Sequence, residues 1–453
     1  MKTTAQPAAT HPYLRRPNHT ILTLSLPILV SLIAEPVTGL VDTAFVSQLG
    51  AQPLAALGVG AGALTSLLWI FSFLGIATQT EVAQTSGRAQ HTESSRAVSL
   101  ALAMGVFASG LLVLGLLPGG SYLAQLLGAE GLVLALSDQY IQMRLLGAPA
   151  VIIVFVGFGA LRGLQDMRTP LWIALGINIA NIALDYLFIF GWAFVPPLGV
   201  AGAGLASSLS QWLGALWLLW ELHRRLGLSR DFDWHSGLRL LRVGRDLFIR
   251  SGALTLFLLV ATRVATQMSA EAGAAHQVIR QVWFFAALIS EALASSAQSL
   301  VGYFFGSARF STARSVALSC AGWSLATGIV LMLVALAATP LVALVFVPPT
   351  AVEVFHFAWI VAALSQPLSG LAFVTDGIHW GTGDYRFLRN VMLMATCCSL
   401  LGLALLPTRT DEAFAGVWLA MLLWIGIRAF WGVTRLVPGI GSSPFRHQQP
   451  AKS

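Results

Sequence analysis

Apolar stretches of about 20 residues recur from one end of the chain to the other, separated by short groups of glycine, proline and arginine. A helix rises about 1.5 Å per residue, so each stretch is long enough to cross roughly 30 Å of hydrocarbon. None shows the apolar and polar alternation of an outer-membrane barrel strand. The pattern predicts an all-α integral membrane protein with about twelve transmembrane helices: 21–47, 54–79, 96–117, 136–160, 170–191, 200–222, 247–268, 275–302, 313–338, 351–377, 388–406 and 414–436.

Composition agrees with a bilayer as the solvent. Of 453 residues, 56% are hydrophobic and only 10% charged, with a mean hydropathy of +0.77, whereas soluble domains are roughly 25% charged. The net charge of +7 comes with no basic stripe or aromatic-basic module, so nucleic acid is not an expected partner. Its placement follows the positive-inside rule. Twenty-one Lys and Arg residues fall in alternate connections and tails, among them Lys2, Arg88, Arg168, Arg224 to Arg250, Arg386 and Lys452, against Arg409 alone on the opposite side. Arg144, Arg263, Arg280 and Arg428 fall inside predicted spans. This distribution predicts a multi-pass protein of the cell (inner) membrane with both termini in the cytoplasm. The polar stretch before the first span has no cleavage site and is expected to stay attached. Cys320, Cys397 and Cys398 lie in apolar spans and read as small packing residues.

A shift of 219 residues lays Gln48-Leu49-Gly50-Ala51 on Gln267-Met268-Ser269-Ala270, and Gly87 on Gly306. At a shift of 218, Gly163-x-x-Asp166-x-Arg168 falls on Gly381-x-x-Asp384-x-Arg386. Two six-helix lobes of the same orientation, a parallel repeat, are therefore expected. The boundaries are an N-terminal tail 1–20, an N-lobe 21–222, a cytoplasmic linker 223–246, a C-lobe 247–436 and a C-terminal tail 437–453.

Enzyme chemistry finds no footing here. The lysines, Lys2 and Lys452, lie outside any glycine-rich loop, which excludes a P-loop. Neither a His-Glu-x-x-His pair nor a Gly-x-Ser-x-Gly elbow occurs, and the histidines are scattered. No cofactor and no firm metal site are expected. What the chain does contain is carboxylates at membrane depth, where an ionisable side chain costs several kcal/mol unless it faces a cavity or a partner. That is the chemistry of transport driven by an ion gradient, because burial favours the neutral carboxyl and makes it a proton carrier.

Their spacing carries further information. Positions i, i+3 and i+7 share one face of a helix. Asn178, Asn181 and Asp185 therefore form a polar stripe on span five, and Glu35, Thr38 and Asp42 form another on span one. Two such stripes suggest one cavity, against the alternative of interhelical hydrogen bonds that merely hold helices together, worth about 1 kcal/mol each. The second half has no copy of either stripe. Pro36 removes a backbone hydrogen bond beside Asp42, which makes span one a candidate hinge.

Several runs of residues resemble a known family. Leu26-Pro27 through Gly39-Leu40-Val41-Asp42-Thr43-Ala44, the loop Leu161 to Pro170, the Asn181-x-x-x-Asp185 pair, and Thr375-Asp376-Gly377-Ile378 followed by Gly381-x-Gly383-Asp384 are similar to the DinF branch of the multidrug and toxic compound extrusion (MATE) transporters. The resemblance covers about residues 20 to 436. It implies a V-shaped arrangement of two six-helix lobes and alternating access. It also implies a chain acting as a monomer in the lipid bilayer, exporting cationic or amphiphilic small molecules in exchange for protons or sodium. By the same resemblance, Asp42, Asn181 and Asp185 are the proton or cation site, with Asn178 on the same stripe and Tyr140 as a lining partner. Glu35, Thr38, Glu291, Gln298 and Asp376 are then candidates for the substrate cavity. The sodium site of the NorM branch needs an acidic residue on span seven, where this chain has Arg250 and Arg263, and Gln298 stands where a later glutamate is usual. Protons are therefore favoured over sodium. Arg162, Asp166, Arg168, Asp384 and Arg386 read either as gating ion pairs or as loops that cap helix ends. A relative that flips a lipid-linked precursor is the alternative function, and it would need several cationic side chains in its cavity.

Overall fold

The computed structural model describes residues 10–192, 194–231, 234–406, 413–438 and 443–446. Lys2, Arg409 and Lys452, which entered the orientation reading, lie outside the described residues. Helices make up almost all of this range, with short connections such as 194–199 and 227–231. In order the helices are α1 (Pro12–Arg15), α2 (Pro17–Ser47), α3 (Ala51–Trp69), α4 (Ser72–Gly87), α5 (His91–Leu116), α6 (Gly120–Leu126), α7 (Gly131–Leu145), α8 (Ala148–Gly163), α9 (Arg168–Phe190), α10 (Val200–Leu226), α11 (Trp234–Met268), α12 (Ala270–Gly306), α13 (Phe310–Ala337), α14 (Thr339–Phe346), α15 (Val352–Leu364), α16 (Gln366–Thr382), α17 (Tyr385–Ala404) and α18 (Phe414–Thr434). Among the described residues, nine helices are long and apolar enough to span a membrane, or eleven if each of two bent pairs counts as one span. The sixth expected span, 200–222, forms as the 27-residue α10. Large apolar side chains without protein cover, such as Phe107, Leu114, Leu344 and Phe346, give the helices a surface suited to lipid.

The chain divides into two compact units. Unit 1 comprises Leu26–Gly244, and unit 2 comprises the described residues from Arg245 onward together with those up to Ser25. In unit 1, α4 packs on α8 and α5 lies against both, while α7 and α9 pack on α10. In unit 2, α12 packs on α16 in the same way, with α13 against both.

The duplication is visible in details that sequence matching did not reach. A side chain at Gly159 would place its Cβ 2.2 Å from the Gly75 carbonyl oxygen, and one at Gly377 would place it 2.1 Å from that of Ala294. One turn on, Gly163 and Gly381 each lie 2.7 Å by the same measure from the carbonyl oxygens of Gln79 and Gln298. These pairs are related by shifts of 218 or 219 residues, and they let α8 meet α4, and α16 meet α12, with backbones nearly touching. Predicted spans four and ten prove to be bent pairs, α7 with α8 at 49° and α15 with α16 at 45°. Pro149 and Pro367 sit in the first turn of the second helix of each pair, and neither offers an N–H to continue the preceding helix. Ala89 and Ala308 both adopt left-handed backbone just after α4 and α12 (φ 57° and 56°). The short helices α6 and α14, absent from the sequence expectation, also occupy equivalent places.

The tails and linker carry structure that composition did not reveal. Within the segment read as an N-terminal tail, 1–20, α1 forms at Pro12 and α2 begins at Pro17. Tyr13 and Ile21 are buried in one apolar cluster with Phe304 and Val316 of unit 2. The Tyr13 hydroxyl donates to Ser319 Oγ at 3.1 Å, and Trp323 Nε1 donates to Asn18 Oδ1 at 3.0 Å. Phe445, from the segment read as a C-terminal tail, joins the same cluster. The linker 223–246 is shorter than read, because α10 continues to Leu226 and α11 starts at Trp234. A polar composition masked single aromatic anchors whose burial outweighs the cost of ordering a short segment.

Candidate ion and substrate site

In unit 1 the two polar stripes meet. Asp185, on α9, is fully buried, and its Oδ1 finds no hydrogen-bond donor among the described residues. Its carboxyl lies within hydrogen-bonding reach of that of Asp42 on α2, which is half-buried. Two carboxyl groups at that separation form a hydrogen bond only when a proton sits between them. Asn181, buried one turn before Asp185, bridges the stripes. With its amide oriented to satisfy both ends, Asn181 donates to Asp42 Oδ1 at 3.2 Å and accepts from the Ser207 backbone N–H of α10 at 3.3 Å. Asn178 is half-buried a turn further along the same face.

The remaining members of the span-one stripe extend this cluster. Thr38 is buried and its hydroxyl donates back to the Ala34 carbonyl at 3.1 Å, so it shapes the helix face rather than offering a free ligand. Glu35 is exposed and forms part of the wall of a cavity of about 50 Å³ that Tyr140 and Arg144 of α7 also line. Tyr140 is buried against α3, where a side chain at Gly60 would meet its ring at 2.6 Å. Pro36 lies inside α2, which runs as one helix through it. Sequence reading passed over Ser207 and gave Arg144 no place in the site. The i, i+4 spacing of Tyr140 and Arg144 on one helix face was the available signal.

Glu291, Gln298 and Asp376 belong to unit 2, where Asp376 is held in a buried ion-pair cluster. Both Arg250 and Arg428 donate to its Oδ2, Arg428 at 2.6 Å, and all three side chains are at most 8% exposed. Arg250 lies 5.0 Å from the Trp380 ring centroid, and Arg428 lies 4.5 Å from that of Trp424 and 5.5 Å from that of Phe373. The carboxylate is thus a committed ion-pair partner inside the helix bundle, and Arg250, counted above with the linker arginines, is a core residue. Glu291 is half-buried within electrostatic range of Arg428. Gln298 is buried where α16 crosses α12.

The loop motifs resolve into helix caps and ion pairs within single units. Asp166 accepts from the backbone N–H groups of Arg168 and Thr169, each at 3.0 Å, and so satisfies the first turn of α9. It also pairs with Arg225 at 2.5 Å. Burial by itself pushes the Asp166 carboxyl up, but the hydrogen bonds from Thr169 and the Arg225 guanidinium outweigh it and hold the group below the usual carboxylate range. In unit 2, Asp384 pairs with Arg435 at 2.5 Å.

Comparison with known proteins follows the same duplicated outline. The MatE family pattern matches residues 27–187 and again 248–408. Protein DETOXIFICATION 44, chloroplastic, of Arabidopsis thaliana is 30% identical over 94% of this chain and 83% of its own. DNA damage-inducible protein F of Escherichia coli (strain K12) is 25% identical, with 89% of each chain covered. A crystal structure of MATE in the bent conformation superposes with a TM-score of 0.83 at 20% identity, over 93% of this chain and 95% of that one. The lipid-linked-precursor alternative gains no support from these relatives. With the family pattern present once in each half and a relative aligned along nearly its whole length, the chain belongs to the MatE family and is a multi-pass membrane transporter, not an enzyme.

Proposed function

We propose that this protein exports cationic or amphiphilic small molecules from the cytoplasm by antiport with protons, through alternating access. The observation that carries the reading is the Asp42–Asp185 pair, with Asn181 donating to Asp42 from the same stripe as Asp185. A buried carboxyl pair gains and loses positive charge in one place, which is what a site must do to exchange a cation for protons. With the site open outward, protons neutralise the pair and shift the equilibrium between states, α2 bending at Pro36, and the substrate leaves. Inward opening returns the protons to the cytoplasm. Such coupling requires that proton and substrate favour different states or compete for one site.

Protons fit better than sodium because Asp376, a buried carboxylate of unit 2, is already engaged by two guanidinium groups. In the proposal the protein works as a monomer with both termini in the cytoplasm. Substrate uptake into everted vesicles under an imposed proton gradient tests it. Asp42→Asn and Asp185→Asn are each expected to abolish uptake, and full activity in both variants would sink the proposal. A sodium gradient that drives uptake equally well would replace the coupling ion.

A further inference from the structure

We propose that Arg144 is the resident counter-ion of the unit 1 carboxyl cluster and that Glu35 is the third titrating member, so the cluster becomes neutral on gaining two positive charges. The inference deepens the proton-coupled reading above and rests on it.

Arg144 and Tyr140 are one turn apart on α7, and together with Glu35 of α2, Thr65 of α3 and Phe155 of α8 they line the cavity of about 50 Å³. Sites for drug-sized molecules are roughly 300–1,000 Å³, so this chamber is too small for one. It is roomy enough for a few water molecules, each needing about 10–15 Å³. Arg144 Nη1 is buried and finds no acceptor among the described residues. The guanidinium reaches the Tyr140 side chain and lies within electrostatic range of both Glu35 and Asp42. A cation inside a membrane protein that no single carboxylate claims, with three carboxyl groups on facing helices, is placed to balance their sum.

The surrounding elements add no other charge to the count. α3 carries no ionisable side chain, and α8 carries only Arg162, in its last turn. On α7, the Asp138 carboxylate accepts from Gln142 Nε2 at 2.8 Å and faces Gly120 of α6, whose Tyr122 is exposed. On α9, Tyr186 is exposed, and the charged groups of α10, from Glu221 to Arg225, cluster in its last turns. What remains is Glu35, Asp42 and Asp185 against Arg144, a net charge of minus two when every carboxyl is ionised. A site that must close away from water carries uncompensated charge at high cost. Two protons, or one proton with a monovalent substrate, would neutralise it.

The test uses the full-length chain in proteoliposomes, with ethidium flux driven by a proton gradient and measured between about pH 5 and pH 9. Removing the guanidinium in Arg144→Gln is expected to raise the pH of half-maximal flux by about one unit or more, whereas Arg144→Lys keeps the wild-type midpoint. Glu35→Gln is expected to reduce the steepness of the pH profile from two protons to one. The double variant restores the net charge and is expected to return to within about half a unit of the wild-type midpoint. An unshifted Arg144→Gln, or a double variant as displaced as Arg144→Gln alone, overturns the inference. Should Arg144→Gln fail to fold, Glu35→Gln decides through its steepness, and an unchanged slope overturns the inference. A wild type indifferent to the proton gradient removes the proton-coupled reading and this inference with it. A gradient-driven wild type with an unshifted Arg144→Gln removes only the counter-ion.

Discussion

Arg428 donates to Asp376 Oδ2 at 2.6 Å, and Arg250 shares the same oxygen, with all three side chains buried in unit 2. Removing the carboxylate takes away the charged partner that both buried guanidinium groups bond to directly, leaving Arg428 only the more distant, half-buried Glu291. Asp376→Asn is therefore expected to destabilise the protein by about 3–5 kcal/mol. Thermal unfolding in detergent reads this as a large fall in midpoint. A change of a degree or two would mean that the arginines are satisfied elsewhere.

The close helix crossings make a second prediction. Alanine at Gly159 or Gly377 drives its Cβ into a backbone carbonyl oxygen at 2.2 or 2.1 Å, and backbone cannot rotate away as a flexible side chain would. Each substitution is expected to cost about 1–3 kcal/mol or more by forcing the helices apart. Gly322→Ala, where nothing lies within 4 Å, is the control and should be neutral or slightly stabilising. Folded yield and unfolding temperature of the three variants check this.

Asn181 is a third handle. Leucine at this position keeps the volume but removes the donor to Asp42 Oδ1 and the acceptor for the Ser207 N–H. A hydrogen bond to a charged group is worth about 1.5–3 kcal/mol, so gradient-driven transport should fall by roughly tenfold to a hundredfold while the fold persists. Equal transport by Asn181→Leu and wild type would remove Asn181 from the site.

Asp166 makes a prediction about pH. Its carboxyl is held below the usual range, so the ionised form contributes stability that is present above the unfolded carboxylate value near pH 4 and is lost as pH falls through the lowered folded value. Asp166→Asn should therefore be less stable than wild type at pH 7, by about 1–2 kcal/mol for the lost cap. The gap should narrow as pH falls below about 4. Unfolding midpoints across pH for the two proteins measure it, and a gap independent of pH would assign the whole effect to packing.

How far sequence reading reached depended on whether a property is local. The stripe Asn178, Asn181, Asp185 follows from helical period alone, and the twelve apolar stretches follow from the length a helix needs to cross hydrocarbon. The bends at Pro149 and Pro367 were legible in principle, because a missing N–H acts within one turn. The anchoring of the two tails was not legible, for the opposite reason. Tyr13 and Phe445 lie more than 400 residues apart and are buried only because both settle on the same face of α12 and α13.

By itself, then, the sequence determined the solvent, the all-helical class, the duplicated halves and the family, and it marked Asp42 and Asp185 as too costly to be incidental. Only the tertiary structure decided which charges share a space. It set Asn181 of α9 against Asp42 of α2, placed Arg144 beside Glu35, and closed Asp376 between Arg250 and Arg428, 126 and 52 residues away. Side-chain period is a property of one helix, but the pairing of charges is fixed by how helices distant in sequence pack. Electrostatic energy depends on that distance in space.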